Sequence, residues 1–208
     1  AHLVLGRALI VLDRPDDALT AFEAARAAAP KDYRALNGLG IARDLIGDHG
    51  MAQALYRDGL ALAPDSISLK SNLGLSLALA GDFEQAIDVL GAAAKDPAAT
   101  ARTRQNLALV YGLSGDTARA AAIGRLDLTE AQVTSNLKRY EVLRSLTDKA
   151  REGKFSTWPM VMALLRAKLD ASRSSAAKAP EPQSDGNKAG ERLEVSDALL
   201  RSLERPRR

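Results

Sequence analysis

Few side chains in this sequence have the chemistry of a catalyst or a metal ligand, and their spacing argues against both roles. The two histidines, His2 and His49, lie far apart, one on a predicted helix and one in a predicted turn. No cysteine is present, which removes disulfides and thiolate metal sites. There is no H-E-x-x-H pair, no glycine-rich phosphate loop and no nucleophile elbow. The carboxylates that recur, Asp13, Asp48, Asp82 and Asp116, fall at or beside predicted turns, where helix capping accounts for them. The expectation is a chain that catalyses nothing and holds no metal or cofactor.

A different set of residues could do recognition chemistry, and the elements that position it come from a repeat. Leu5, Leu39, Leu73 and Leu107 recur at intervals of 34 residues, each followed by a small residue, Gly6, Gly40, Gly74 or Ala108. Ala18, Ala52, Ala86 and Ala120 form a third column without gaps. Asp13-Arg14, Gly47-Asp48, Gly81-Asp82 and Gly115-Asp116 align as the turn between two helices. Phe22, Tyr56 and Leu90 make a column of bulky residues, and Pro30, Pro64 and Pro97 close the first three units. Glycine in the turn ends one helix, aspartate caps the next, and proline stops the second. Small residues let paired helices approach, and a bulky one there would overpack the contact at roughly 1–3 kcal/mol.

This pattern resembles the tetratricopeptide repeat, over residues 1–126. The resemblance implies an all-α superhelix of about four helix-turn-helix units, at 1–32, 33–66, 67–100 and 101–126. Units of this kind bury their faces only by stacking on one another. The fourth departs from the pattern, with Gly124 where a large residue belongs and Asp127 where a small one does. The first starts at the third position of its first helix, which leads us to expect native sequence upstream.

In such arrays the first helix of each repeat lines the concave face. The inward candidates are therefore Arg34, Asn37, Ile41 and Leu45 in the second repeat. In the third they are Ser71, Asn72, Leu75 and Leu79, and in the fourth Arg102, Gln105, Asn106, Leu109 and Leu113. Asn72 and Asn106 share one repeat position; their amides either bond a partner's backbone or bond neighbouring helices. Asn72 followed by Arg102 matches two elements of the carboxylate clamp of chaperone-associated repeats. Asn37, Ile41 and Asn106 break that pattern, so a clamp is not expected. Leucines mixed with amides suit an extended peptide or an amphipathic helix of a protein partner.

Beyond the repeats, Thr129 and Gln132 form a capping box, and Val133, Leu137, Tyr140 and Leu143 recur on one helical face. This predicts a capping helix within 127–146, although a partner-binding helix is the alternative. Residues 147–154 read as a polar connector, and Pro159 to Asp170 as a short apolar helix near the lone Trp158. Residues 171–208 are poor in large apolar side chains and are expected to be disordered, with one amphipathic stretch, 193–203, inside them.

Charge and composition narrow the partner. The net charge of +3 is small and mixed along the chain, and aromatics are 4%. A nucleic-acid binder concentrates its basic residues, and a single-strand binder adds stacking aromatics, so no nucleic-acid partner is expected. No apolar run reaches the ~20 residues that cross a bilayer.

One stretch is more specific. Residues 104–116, RQNLALVYGLSGD, with Asp127-Leu128, 133–137 (VTSNL) and Tyr140, resemble the last repeat of TadD-type proteins of bacterial tight-adherence (Flp) pilus assembly. The resemblance implies a lipoprotein on the periplasmic side of the outer membrane that helps the pilus secretin assemble or localise. With no cysteine in these 208 residues, a lipid anchor would lie upstream of them. The other reading is a generic adaptor or co-chaperone that binds a peptide segment.

Overall fold

A computed structural model of the chain describes residues 1–151, which fold as an all-α solenoid. Four helix pairs follow one another: α1 (His2–Val11) with α2 (Pro15–Ala28), α3 (Tyr33–Leu45) with α4 (His49–Leu62), α5 (Ile67–Ala80) with α6 (Phe83–Lys95), and α7 (Ala101–Ser114) with α8 (Thr117–Gly124). The ninth helix among the described residues, α9 (Glu130–Arg151), closes the array.

The turns follow from their residues. Gly47, Gly81 and Gly115 adopt left-handed backbone at φ of 87°, 94° and 93°. The next amide then reaches back five residues, as in Asp82 N–H to Leu77 C=O at 2.9 Å, and satisfies an orphan carbonyl. Asp48, Asp82 and Asp116 cap the following helices, accepting from the amides of Met51, Gln85 and Arg119. Asp13 differs from the expectation. It takes the left-handed position itself, at φ 57°, and Arg14 stands at the N-cap. The reason is its column, which holds glycine in the other three turns. Helices α2, α4 and α6 end at Ala28, Leu62 and Lys95, two residues before Pro30, Pro64 and Pro97.

The core is a row of knobs in glycine-lined holes. Phe22, Tyr56 and Leu90 are 2%, 0% and 0% exposed. Each is worth about 1.5–3 kcal/mol of burial. A Cβ on Gly6 would lie 2.6 Å from the Phe22 ring, and one on Gly74 would lie 2.5 Å from Leu90 Cγ. Gly40 faces Tyr56 in the same way, and Gly38 receives the other side of the Phe22 ring from the preceding repeat.

The first helices pack on one another along the array, α1 on α3, α3 on α5 and α5 on α7, while α2, α4 and α6 each pack between two first helices and α8 between α7 and α9. The second helices are splayed, so the array curves with α1, α3, α5 and α7 on its inner side.

Of the two irregularities of the fourth repeat, Gly124 is explained by α9 and Asp127 by an ion pair with α7. Gly124 leaves room that Val133 of α9 fills, its Cγ2 being 3.3 Å from where a Cβ would sit. Gly112 likewise makes way for Tyr140. Asp127 pairs with Arg104 through two contacts, 2.9 Å to Nε and 2.5 Å to Nη2. The capping box forms as expected, Thr129 N–H donating to Gln132 Oε1 at 3.0 Å and Gln132 N–H to Thr129 Oγ1 at 3.4 Å. Val133, Tyr140 and Leu146 are buried against α7 and α8, so the helix caps the array. One boundary is corrected: the expected connector at 147–154 begins as helix through Arg151. Nothing between Leu146 and Arg151 breaks a helix, and the Thr147 hydroxyl bonds back to the Leu143 carbonyl at 2.9 Å. The expected apolar helix at Pro159 to Asp170 and the tail 171–208 lie outside the described residues.

Candidate partner-binding groove

The inner helices surround a cavity of about 570 Å³. It is lined by α1, by α3 and by the start of α5. Leu3 and Ile10 of α1, with Ile41 of α3, supply apolar lining, and Phe22 closes it from behind. Arg7, Lys31, Tyr33, Arg34 and Asn37 line it from the first two repeats, and Asp65 to Ser68 from the junction of the second with the third.

Two caps hold this rim in place. Asp32 accepts from the Arg34 amide at 3.0 Å and grips the Arg34 guanidinium at 2.8 Å and 2.7 Å. The bonds from the Arg34 side chain hold the Asp32 carboxyl below its usual range. Ser66 accepts from the Leu69 amide at 3.3 Å. The rim therefore offers a planar guanidinium already oriented by its carboxylate, beside an aromatic ring and a lysine.

The residues expected from the sequence separate by exposure. Arg34, Asn37 and Ile41 line the cavity. Arg102 is exposed, and Leu45, Leu79, Gln105, Leu109 and Leu113 are partly exposed on the inner helices, outside the cavity. Ser71, Asn72, Leu75 and Asn106 are buried, at 0%, 0%, 4% and 4% exposure, and Ile41 shows 2%. These are corrections to a surface role. The helices of adjacent repeats approach so closely that this register closes over. The Asn72 amide donates to Asn37 Oδ1 at 2.8 Å, joining the two repeats instead of reaching a partner.

Leu3, Arg7 and Ile10 were missed as site residues. Leu3 and Arg7 hold in α1 the repeat positions of Asn37 and Ile41, so extending the same count one repeat backwards finds them, whereas Ile10 holds the position of Asp44, which the count did not include. The loop residues Lys31 and Asp65 share one repeat position but carry opposite charges, so their column showed no common chemistry.

A second polar cluster lies under the groove. Asp44 is fully buried and accepts from His49 Nδ1 at 2.7 Å, the Tyr56 hydroxyl at 2.9 Å and the Ser76 hydroxyl at 2.7 Å. Burial raises the Asp44 carboxyl above its ordinary value, against the pull of these three partners, and raises the Tyr56 phenol well above 10. His49 and Ser76 both bond the carboxylate, which ties repeat two to repeat three.

Among the described residues no cluster of acidic residues, histidines and cysteines could hold a metal ion, and no helix is long and apolar enough to cross a membrane.

Comparison with known proteins agrees with this architecture. A family model described as tetratricopeptide repeat matches residues 1–24 and 68–92. A protein of Sinorhizobium fredii (strain NBRC 101917 / NGR234), called uncharacterized protein y4yS, is 39% identical over 85 residues. That match covers 41% of this chain and spans about half, 47%, of the relative. The crystal structure of MamA superposes with a TM-score of 0.52 at 19% identity, over 66% of this chain and 77% of that one. A MamA RS-1 ArsTM double mutant gives a TM-score of 0.50 at 14% identity, over 98% of this chain and 91% of that one. At such identities the likeness speaks to fold. The helix pairs, their 34-residue columns and these likenesses together make the fold that of a tetratricopeptide-repeat solenoid.

Proposed function

We propose that this chain is a non-catalytic scaffold that receives a short segment of a partner protein in the groove between α1, α3 and α5. The observation that carries the reading is the cavity itself, an apolar floor with Tyr33 and an oriented Arg34 at its rim. Interface hot spots are enriched in such side chains. A segment laid there would place apolar side chains against Leu3 and Ile10 and a carboxylate or carbonyl at Arg34.

The finer reading places the partner in the Flp pilus machinery, as a secretin-type subunit met on the periplasmic side of the outer membrane. Its support is the likeness of residues 104–116 and 127–140 to TadD-type proteins, and any lipid anchor would be carried outside residues 1–208. The alternative is an adaptor or co-chaperone of another pathway that uses the same groove.

Peptides tiled across the periplasmic part of a pilus secretin, titrated calorimetrically into the chain, test both levels. Tyr33→Ala with Arg34→Ala should weaken binding more than tenfold, about 1.4 kcal/mol, with the far-UV circular dichroism unchanged. Unchanged affinity in the double variant rejects the groove. Failure of every secretin peptide, with a groove-dependent partner found elsewhere, rejects the pilus reading and leaves the adaptor.

A further inference from the structure

The three junctions between successive repeats are built on one turn. Pro30, Pro64 and Pro97 each stand second in it. The turns close by amide-to-carbonyl bonds from Asp32 to Ala29 at 3.0 Å, Ser66 to Ala63 at 3.1 Å and Ala99 to Asp96 at 2.8 Å. Proline in that place fixes its own φ and stiffens the turn. The third residue of each turn, Lys31, Asp65 or Ala98, is exposed and lines the cavity. Along the array this rim reads basic, acidic, neutral, one side chain per junction.

Not every charge in the lining is equally open to a ligand. Asp32 is already committed to Arg34, which reaches it at 2.7 Å, and Arg7 adds its pull on the same carboxyl. Lys31 and Asp65 form no ion pair with each other or with any other described residue. An acid brought to Arg34 competes with Asp32, whereas one brought to Lys31 displaces only water. Arg34 therefore suits a main-chain carbonyl, and Lys31 suits a carboxylate. By the same reasoning Asp65 suits a base.

Spacing and hydrogen bonding select the form of the segment. First helices of adjacent repeats pack about 8–10 Å apart, which sets the separation of their turns. An extended chain covers that distance in about three residues, at ~3.3 Å each. Asn37 lines the cavity with its Oδ1 taken by Asn72, so its own N–H groups are left to donate to a carbonyl. An extended main chain has carbonyls to offer there, while a helix bonds its own internally.

Resting on the groove proposed above, we infer that its occupant is an extended segment with an acidic and a basic residue about three positions apart, flanking apolar residues. The acid meets Lys31, the base meets Asp65, and the apolar residues between them face the floor. Lys31 and Asp65 thus choose among partners, while Tyr33 and Arg34 hold the segment that is chosen.

Titration of the 208-residue chain with capped peptides, followed by amide NMR shifts, tests this. The probe is Ser-Gly-Z-Leu-Leu-Z-Gly-Ser, with the Z pair Glu and Lys in either order, both Glu, both Lys or both Gln. Exposed charge pairs contribute a factor of about two to five each. The better Glu and Lys order should therefore bind about threefold or more tighter than the Gln peptide at low salt. Lys31→Glu should make the Lys–Lys peptide the tightest, and Asp65→Lys the Glu–Glu peptide. The differences should collapse at about 1 M salt, where charges act only within ~3 Å. Both positions are exposed in turns, and far-UV circular dichroism checks that the variants fold. An order of affinities that both variants leave unchanged overturns the inference, as does failure of both Glu and Lys peptides to bind at about 1 mM. Tyr33→Ala with Arg34→Ala separates the two levels. Where peptides bind without regard to charge and this variant releases them, the charge reading falls and the groove stands; where it releases none, the groove falls as well.

Discussion

Asp44 has no exposed surface and three donors aimed at it, from His49, Tyr56 and Ser76. Removing the carboxylate leaves those donors without an acceptor, at about 1–3 kcal/mol for each that water fails to reach. Asp44→Ala should therefore lower the urea-unfolding free energy at neutral pH by about 2–4 kcal/mol. Asp44→Asn, which keeps an acceptor and removes the charge, should stay within about 1 kcal/mol of wild type. The carboxyl's folded pKa is raised above 3.8 by burial. Between 3.8 and that raised value the folded state binds the extra proton, so this residue's contribution to stability improves as pH falls through the window. Wild type should gain on Asp44→Asn as pH drops toward 4, in paired denaturation curves. Asp127, held low by Arg104, acts in the opposite sense and only below 3.8. The Asn72 bond to Asn37 gives a further expectation. Asn72→Ala should cost about 1–3 kcal/mol by the same assay, an effect on stability where the amide column alone left binding and packing equally open. Nothing in the sequence showed which neighbour the amide meets, because Asn37 is 35 residues away.

Among the elements, the helix pairs were legible because each boundary has a local cause: glycine at a left-handed turn, aspartate or serine at a cap, proline past an end. Asp13 was misread because a residue type can serve two neighbouring positions, and its column, not its chemistry, decides which. The run to Arg151 was misread because polar residues on an exposed helix look like a connector. Gly74→Val places Cβ where Leu90 already sits, 2.5 Å from its Cγ, and should cost about 1–3 kcal/mol in chemical denaturation. Tyr140→Ala removes the side chain that α9 sets against Gly112 and should cost about 3 kcal/mol. Its loss should speed amide exchange in α7 and α8 before it reaches α3 and α4.

Over the whole molecule, that local spread of damage follows from contacts confined to neighbouring repeats. Composition and period alone determined the all-α class, the number of repeats, the knob and small-residue columns and the capping helix, since each depends on residues close in sequence or one repeat apart. The tertiary structure decided which inner-helix residues reach solvent. Packing of α3, α5 and α7 on one another closes over Ser71, Asn72, Leu75 and Asn106, while leaving Tyr33 and Arg34 at a cavity rim. It also paired Arg104 with Asp127 and gathered three polar residues of two repeats around the Asp44 carboxylate. A 34-residue pattern specifies a face for each side chain, but exposure depends on how far adjacent faces are apart, and packing alone sets that distance.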